Sequence, residues 1–116
     1  MHLVRAGLVA AAMAASCAAR AGPSEPVRVA LVLEHHRFSP SAVSAAAGRV
    51  ILIDLTNRDS ASDEFDSSDL KVEEDVTPKG HVTFTVGPLK PGVYRFMGEA
   101  HPSTALGQIT VTSPGA

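Results

Sequence analysis

The segment His81–Met97, HVTFTVGPLKPGVYRFM, is the part of the sequence that most directly indicates the fold class. Its first half alternates, with Val82, Phe84 and Val86 at every second position and mainly polar residues between them, which is the period of a half-buried β-strand. The prolines and the glycine of PLKPG then predict a turn. VYRFM, which combines a β-branched residue with two aromatic ones, predicts another strand after it. The segment therefore predicts two strands in succession and no helix.

Similar short apolar segments recur along the chain and are separated by turn residues. From residue 22 onward, no segment of useful length shows the period of an amphipathic helix. Residues 58–68 are polar and predict a loop, in which Phe65 is the only apolar anchor. This pattern predicts an all-β fold, a Greek-key β-sandwich of about seven strands. The further strands are expected at VRVALVL (27–33), FSPSAVSAAAG (38–48), VILIDLTN (50–57), LKVEEDV (70–76) and GQITVT (107–112).

Residues 1–21 are predicted to be a signal peptide. A weakly basic start precedes the apolar run AGLVAAAMAA, and ARA at residues 19–21 fits a cleavage site. The apolar run is too short to span a bilayer, so no membrane insertion is expected after cleavage. The predicted organisation is therefore a leader over residues 1–21 and one domain over residues 22–116, secreted to the periplasm.

The single cysteine of the chain, Cys17, lies inside this predicted leader. Its context AASC weakly resembles a lipoprotein signal, which leaves lipid anchoring open as an alternative to a free secreted domain. If cleavage follows Ala21, the mature protein contains no cysteine. Disulfide bonds and thiolate chemistry are then excluded although the compartment is oxidising.

The charge pattern argues against nucleic acid as a partner. Arg5 and Arg20 leave with the leader while all 12 acidic residues remain, and no basic patch is present. The run Glu73–Asp75 and His81 are interpreted as solvated surface. No glycine-rich phosphate loop and no nucleophile-elbow spacing occurs, so acyl, phosphoryl and glycosyl transfer are not indicated.

Several short motifs occur in an order that resembles the cupredoxin family. They are FSP (38–40), AAAG (45–48), LTN (55–57), PLKPGVYRF (88–96) and GQITV (107–111). More narrowly, the chain is similar to periplasmic cupredoxins associated with bacterial ferrous-iron permeases. The narrower likeness is carried by HRF (36–38), EF (64–65), GPLKPG (87–92) and GEAHPSTALG (98–107).

This resemblance implies a cupredoxin-like domain over residues 22–116 that binds copper, with iron as an alternative. It also implies an inner-membrane iron permease complex as a partner, and a role in ferrous-iron oxidation or in electron transfer during iron uptake. The protein would then be a metal-binding or electron-transfer protein rather than an enzyme, with ferroxidase activity left open.

The chain departs from the family at the metal ligands. A type 1 copper site of this family would place a histidine near Asp63, a cysteine near Met97, and a histidine and a methionine in the last loop. Here Asp63 or Glu64 stands near the first histidine position, and Met97 stands where the cysteine is expected. Because copper–thiolate bonding is then missing, no intense blue colour is expected.

Three segments are expected to meet at one end of a sandwich of this topology. They are the HHRF bend (35–38), the chain after LTN, and the loop between the last two strands. Their side chains offer imidazole, carboxylate and thioether donors, which together suit copper. The candidate metal ligands are His36, Glu64, Met97, Glu99 and His101.

Local spacing supports the individual candidates. His101 precedes Pro102, which restricts its backbone. His36 is two residues from Phe38, so spacing and resemblance both favour it over His35, although His35 stays open as an alternative.

Two candidates follow from alternation along the chain. Glu99 lies two residues before His101, so it faces the same side in an extended loop, either to bind the metal or to orient the histidine ring. Met97 follows Phe96, and strict alternation sends Met97 to the face opposite that aromatic side chain.

The donor set leaves the metal and the function class open. Met97 would favour Cu(I), the carboxylates Cu(II) or a harder ion such as Fe(II), and Zn remains compatible with histidine and glutamate. The alternative to a metal-binding protein is a metal-free β-sandwich that serves as an interaction module. To share one ion, His36 and His101 must lie within about 8 Å of each other.

Overall fold

The computed structural model describes residues 25–113, and the predicted leader with Cys17 lies outside this range. No helix in the described part is long and apolar enough to cross a membrane. The described residues form nine strands, which are β1 Val27–Glu34, β2 Arg37–Ser39, β3 Ala42–Ala46, β4 Ile51–Asn57, β5 Asp63–Ser67, β6 Val72–Val76, β7 His81–Val86, β8 Gly92–Gly98 and β9 Leu106–Thr112.

The strands form two sheets that pack face to face. The first sheet has the order β2-β1-β4-β7, and the second has the order β3-β9-β8-β5-β6. β1 pairs with β4 and β3 with β9 in parallel, whereas the other neighbours are antiparallel. The predicted all-β Greek-key sandwich is confirmed, with nine strands among the described residues instead of about seven.

One additional strand arises because the predicted segment 38–48 contributes to both sheets. It breaks at Pro40, so that β2 pairs with β1 in the first sheet and β3 pairs with β9 in the second. Proline has no N–H to donate to a strand ladder, which is why the chain changes sheets at this residue.

The other additional strand, β5, lies inside residues 58–68, where the sequence predicts a polar loop. Its inward positions are Asp63, Phe65 and Ser67, of which only Phe65 is apolar. The Ser67 hydroxyl donates to the Arg95 carbonyl (2.6 Å) and accepts the Leu70 N–H (2.9 Å). The loop prediction is therefore wrong, because polar side chains with distant partners occupy a buried strand face.

The core between the sheets centres on the four phenylalanines of the chain. Phe65 stacks on Phe96 with ring centroids 4.7 Å apart, and its edge contacts Phe84 at 5.0 Å. Phe38 packs edge-on against Phe96 at 5.0 Å. These are the offset and edge-to-face arrangements that aromatic rings prefer, and they join both sheets beneath one end of the sandwich.

The outer face of the first sheet carries a buried charge, Asp54 on β4. Its carboxylate contacts the Arg28 guanidinium on β1 and Nε2 of His81 on β7. The His81 side chain is 53% exposed, which agrees with its predicted surface position, and it also forms an ion pair with Asp54. The hydrogen bond with His81 lowers the pKa of Asp54 below its usual 3.8, helped by the charges of His81 and Arg28 and opposed by burial.

The contacts of Asp54 with Arg28 and His81 predict that part of the free energy of unfolding is lost in acid. Because the folded pKa of Asp54 is depressed, its contribution is present above about pH 4 and is lost as the pH falls through the folded pKa. We expect Asp54→Asn to make the free energy of unfolding less dependent on pH in this acidic range. Urea unfolding at pH 6 and at pH 3 measures the effect, and Asp75→Asn on the second sheet is the control. An equal loss on acidification in the wild type and Asp54→Asn would contradict the assignment.

Candidate metal centre

The turn between β1 and β2 consists of two histidines in an unusual conformation. Glu34 pairs with Arg37, so His35 and His36 form a two-residue hairpin loop. Their φ angles are 56° and 57°. A loop with both central residues at positive φ is the form that ordinarily selects Asn-Gly, because other side chains are strained there. The chain therefore keeps two imidazoles at positions where turn stability alone favours other residues.

Asp59 holds this turn from the loop that follows β4. Its Oδ1 accepts the His35 N–H at 2.7 Å, and its Oδ2 accepts the His36 N–H at 2.9 Å. The Asp59 N–H in turn donates to Oδ1 of Asn57 at 2.9 Å, and Asn57 is almost completely buried. Burial raises the pKa of Asp59, but the two N–H donors and the nearby histidines lower it to a net value below 3.8. The turn is thus attached to the buried end of β4.

His101 lies in a short loop between β8 and β9 that is closed by backbone hydrogen bonds. The His101 N–H donates to the Gly98 carbonyl (3.0 Å), and the His101 carbonyl accepts the Ala105 N–H (2.8 Å). The Gly98 N–H donates to the Ala105 carbonyl (2.8 Å), and Ala105 is fully buried beneath the loop. These bonds restrict the backbone of His101 on both sides.

The two loops bring the rings of His36 and His101 together. Their centroids are 3.7 Å apart and their planes are inclined by 14°. The distance condition of about 8 Å is therefore met. His35 was the alternative candidate ligand. Within residues 25–113, the hydrogen bond that it makes to a side chain comes from its backbone N–H and not from its ring. The structure thus brings His36 to His101.

Each of the two rings turns its Nδ1 towards a carboxylate. Nδ1 of His101 lies 3.1 Å from Oδ2 of Asp63, and Nδ1 of His36 lies 3.4 Å from Oδ2 of Asp59. The hydrogen bond of His101 favours the tautomer with the proton on Nδ1, and the longer electrostatic contact of His36 favours the same tautomer, which leaves the Nε2 lone pair of each ring as an acceptor or metal ligand. Within residues 25–113 neither Nε2 makes a hydrogen bond. The His36 and His101 side chains are 43% and 30% exposed, so solvent reaches them.

Asp63, rather than Glu64, occupies the inward position of β5 beside His101. Its side chain is only 2% exposed. Oδ1 accepts the N–H groups of Glu64 (2.7 Å) and Ala100 (2.9 Å), while Oδ2 faces His101. The carboxylate is therefore fully used in holding the His101 loop. Of the two acids left open by the sequence, the structure selects Asp63 for this position.

Gly98, rather than Met97, is the β8 residue that faces this pair. A Cβ at Gly98 would lie 2.7 Å from Oδ2 of Asp63 and 2.8 Å from Cβ of Ala105. Phe96 and Gly98 are buried, whereas Met97 between them is only half-buried. The expectation that Met97 stands in place of a ligand cysteine is corrected, because strand alternation turns its thioether to the outer face.

Glu64 and Glu99 also lie on that outer face, together with Asp66. Their carboxylate oxygens come within 4.8 Å of one another. A hydrogen bond between Glu64 and Glu99 raises the pKa of Glu64 to about 7, and burial and the neighbouring acids act in the same direction. Met97 pairs with Asp66 across β8 and β5.

The five predicted ligands therefore divide into two groups. The histidines meet at the end of the sandwich, while the outer face of the second sheet carries Glu64, Met97 and Glu99.

Comparison with known proteins places this chain in a family. A family described as the cupredoxin-like domain matches residues 5–111. The chain belongs to the cupredoxin-like domain family. It is also 34% identical over 85 residues to the uncharacterized protein RP394 of Rickettsia prowazekii, which covers 73% of this chain and 68% of that protein.

Several solved structures share the fold at low sequence identity. Auracyanin A, a blue copper protein of Chloroflexus aurantiacus, is similar with a TM-score of 0.67 and 14% identity, over 76% of this chain and 100% of that one. The metal-binding domain of the Cu(I)-exporting P-type ATPase CopA of Streptococcus pneumoniae gives a TM-score of 0.66 and 14% identity, over 79% and 100% of the two chains. A purple cupredoxin of Nitrosopumilus maritimus gives a TM-score of 0.55 and 17% identity, over 72% of this chain and 98% of that one.

The residues of this cupredoxin-like domain do not fit a type 1 copper site. Such a site needs a thiolate, and residues 25–113 contain no cysteine. The inward position of β8 is Gly98, and the Asp63 carboxylate occupies the space into which a side chain there would extend. A thiolate-bearing side chain at this inward position would meet a carboxylate that already has N–H partners.

Two of the corrected positions carried a usable signal in the sequence. Residues two apart on a strand share a face, so Asp63 accompanies Phe65, and Gly98 accompanies Phe96. The role of Asp59 had no comparable signal, because its partners are more than twenty residues away in the chain.

Proposed function

We propose that this cupredoxin-like protein binds divalent copper in the periplasm through Nε2 of His36 and Nε2 of His101. The observation that carries the proposal is the close pair of imidazoles, each with its Nδ1 turned towards a carboxylate. A metal ion lies in the plane of the imidazole that binds it, so the nearly parallel rings must turn out of their stack for both Nε2 atoms to reach one ion. Metal-binding histidines characteristically use one nitrogen for the metal and donate the other N–H to an acceptor of this kind. The resident carboxylates Asp59 and Asp63 also offset positive charge brought by the ion.

The donor set favours Cu(II) over Cu(I). Imidazole suits divalent copper, whereas soft thiolate and thioether ligands select the reduced ion. The Met97 thioether lies on the outer face, away from the histidine pair, and residues 25–113 contain no thiolate. Two protein ligands leave coordination positions for water. We therefore expect a colourless or faintly coloured copper site without an intense thiolate band.

The wider role that we propose is support of ferrous-iron uptake, by oxidation of Fe(II) or by electron transfer beside an inner-membrane iron permease. Its support is the likeness of HRF, EF, GPLKPG and GEAHPSTALG to cupredoxins associated with such permeases. Oxygen consumption with Fe(II) separates the two activities. Consumption that depends on bound copper indicates a ferroxidase, whereas its absence indicates a carrier or electron-transfer protein.

A copper titration of the mature protein tests the binding site. We expect one Cu(II) ion to bind with a dissociation constant below about 10 μM, as measured by calorimetry, and its electron paramagnetic resonance spectrum to show nitrogen ligation. His36→Ala and His101→Ala should each weaken binding at least about tenfold. His35→Ala and His81→Ala are matched controls, because neither side chain belongs to the pair.

A specific observation favours the alternative, a metal-free interaction module. Asp63 satisfies His101 and two backbone N–H groups without any ion, so the end of the sandwich is internally complete. Failure to bind Cu(II) more tightly than about 10 μM, or unchanged binding by His101→Ala, would support this module and reject the copper site.

A further inference from the structure

We infer that Asp59 is a positioning residue of the histidine pair, because it holds the His35–His36 turn in the conformation that brings His36 onto His101. This inference rests on the proposed copper site and deepens it. It concerns the carboxylate of a loop residue that does not itself contact the ion.

The turn needs an external partner. His35 and His36 have φ angles of 56° and 57°. An L-residue other than glycine is disfavoured by roughly 1–2 kcal/mol in the left-handed region, although asparagine and aspartate reduce this penalty through local hydrogen bonds. Histidine occurs in this region more often than most residues, but it still carries the Cβ penalty that glycine avoids. Left to local preferences, the HH pair would populate other conformations, in which the His36 ring leaves His101.

Asp59 supplies what the turn lacks. Its two oxygens accept two successive N–H groups, from His35 at 2.7 Å and His36 at 2.9 Å. In this turn both residues are left-handed, and their N–H groups converge on one carboxylate, as successive N–H groups do in an anion-binding nest. Oδ2 also lies 3.4 Å from Nδ1 of His36. One side chain therefore favours both the backbone conformation and the ring tautomer of His36.

The anchor of Asp59 is rigid. The Asp59 N–H donates to Oδ1 of Asn57, and the Asn57 amide donates to the carbonyls of Ala61 (2.9 Å) and Thr77 (3.0 Å). Asn57 is 1% exposed and ends the fully packed strand β4. Hydrogen bonds thus connect His36 to the core through Asp59 and Asn57. Asp63 on β5 connects His101 to the core in the same way.

Asp59→Asn tests this role with little change in shape. Asparagine keeps one acceptor oxygen and places an NH₂ group where the other oxygen lies, so one of the two turn N–H groups loses its present acceptor atom. We expect the full mature chain with this substitution to bind Cu(II) about 10–100-fold more weakly. Nitrogen-15 NMR of the metal-free protein should show His36 changing from the Nδ1–H tautomer to a mixture. Thermal unfolding followed by circular dichroism establishes that the variant is folded.

A second substitution distinguishes positioning from general stabilisation. Glycine adopts positive φ without strain, so His35→Gly should make the turn less dependent on Asp59. We expect His35→Gly in the Asp59→Asn background to recover at least about tenfold of the lost copper affinity, with His35→Gly alone close to wild type. If Asp59→Asn alone does not fold, the double variant compared with His35→Gly still measures the effect of Asp59.

The possible outcomes separate this inference from the proposed copper site. If the wild type does not bind Cu(II), the copper site is rejected, and the His36 tautomer in the metal-free variants still tests the positioning role. If the wild type binds and Asp59→Asn binds within about twofold with an unchanged tautomer, the positioning role is rejected. Weakened binding without any recovery by His35→Gly and without a tautomer change also rejects it, because Asp59 then acts only through overall stability.

Discussion

Replacement of His35–His36 by Asn–Gly is expected to stabilise the protein and to abolish copper binding. Asn-Gly is the preferred pair for a two-residue loop with positive φ at both positions. Removing the strain of two histidines should raise the free energy of unfolding by about 1–2 kcal/mol, after the loss of the His36–His101 stack is taken into account. Copper affinity should fall at least about 100-fold, because one of the two imidazole ligands is gone.

Urea unfolding and Cu(II) calorimetry on the same protein preparations measure both effects. His35→Asn alone is the matched control, since it relieves strain at the first position and keeps His36. This single variant should be more stable than the wild type and should retain copper binding. A double variant that is less stable than the wild type would show that the two histidines do not strain the turn. A double variant that still binds Cu(II) with wild-type affinity would show that His36 is not a copper ligand.

Phe65→Ala is expected to cause the largest loss of stability, about 3–5 kcal/mol. The Phe65 side chain is almost fully buried at 1% exposure, and its ring contacts Phe96, Phe84 and Phe38 from both sheets. The substitution removes apolar contact and leaves a cavity that rigid neighbouring strands cannot close. A domain of this size has a total stability of only about 5–15 kcal/mol, so a substantial unfolded population is expected on mild heating.

The midpoint of urea unfolding at pH 7 gives this value, provided that the slope of the transition is unchanged. Val93→Ala is a suitable control, because Val93 is 46% exposed on the neighbouring strand β8 and its truncation should change stability by less than about 0.5 kcal/mol. Equal effects of the two substitutions would contradict the placement of Phe65 at the centre of the core. Loss of Phe65 should also weaken copper binding, since Asp63 lies two residues away on the same face of β5.

The strands differ in whether their inward side chains form a pattern that the sequence alone can reveal. β7 was predictable because Phe84 and Val86 alternate with polar residues, and this period is a local property of the chain. β5 was not predictable in this way, because two of its three inward side chains are polar. Asp63 and Ser67 are tolerated there only because partners in β8 and in the following loop satisfy them.

The candidate site shows the same division. His36 and His101 were identified from donor type, spacing and resemblance, and the structure brings them into contact. Glu64 and Met97 were assigned to the same end of the sandwich, although Phe65 and Phe96 already placed their neighbours Asp63 and Gly98 on the inward face. The two-residue period already sent Met97 to the face opposite Phe96, and its use at Phe65 would have placed Asp63 rather than Glu64 on the inward face.

By itself, the sequence determined that this protein is an all-β sandwich with histidines in two loops, because alternation, turn residues and donor types can be read from short segments of the chain. The tertiary structure alone decided which groups serve those histidines. His36 depends on Asp59, 23 residues away, and His101 depends on Asp63, 38 residues away. Such pairs arise only when the parallel pairing of β1 with β4 and the antiparallel pairing of β5 with β8 bring distant loops to one end of the sandwich.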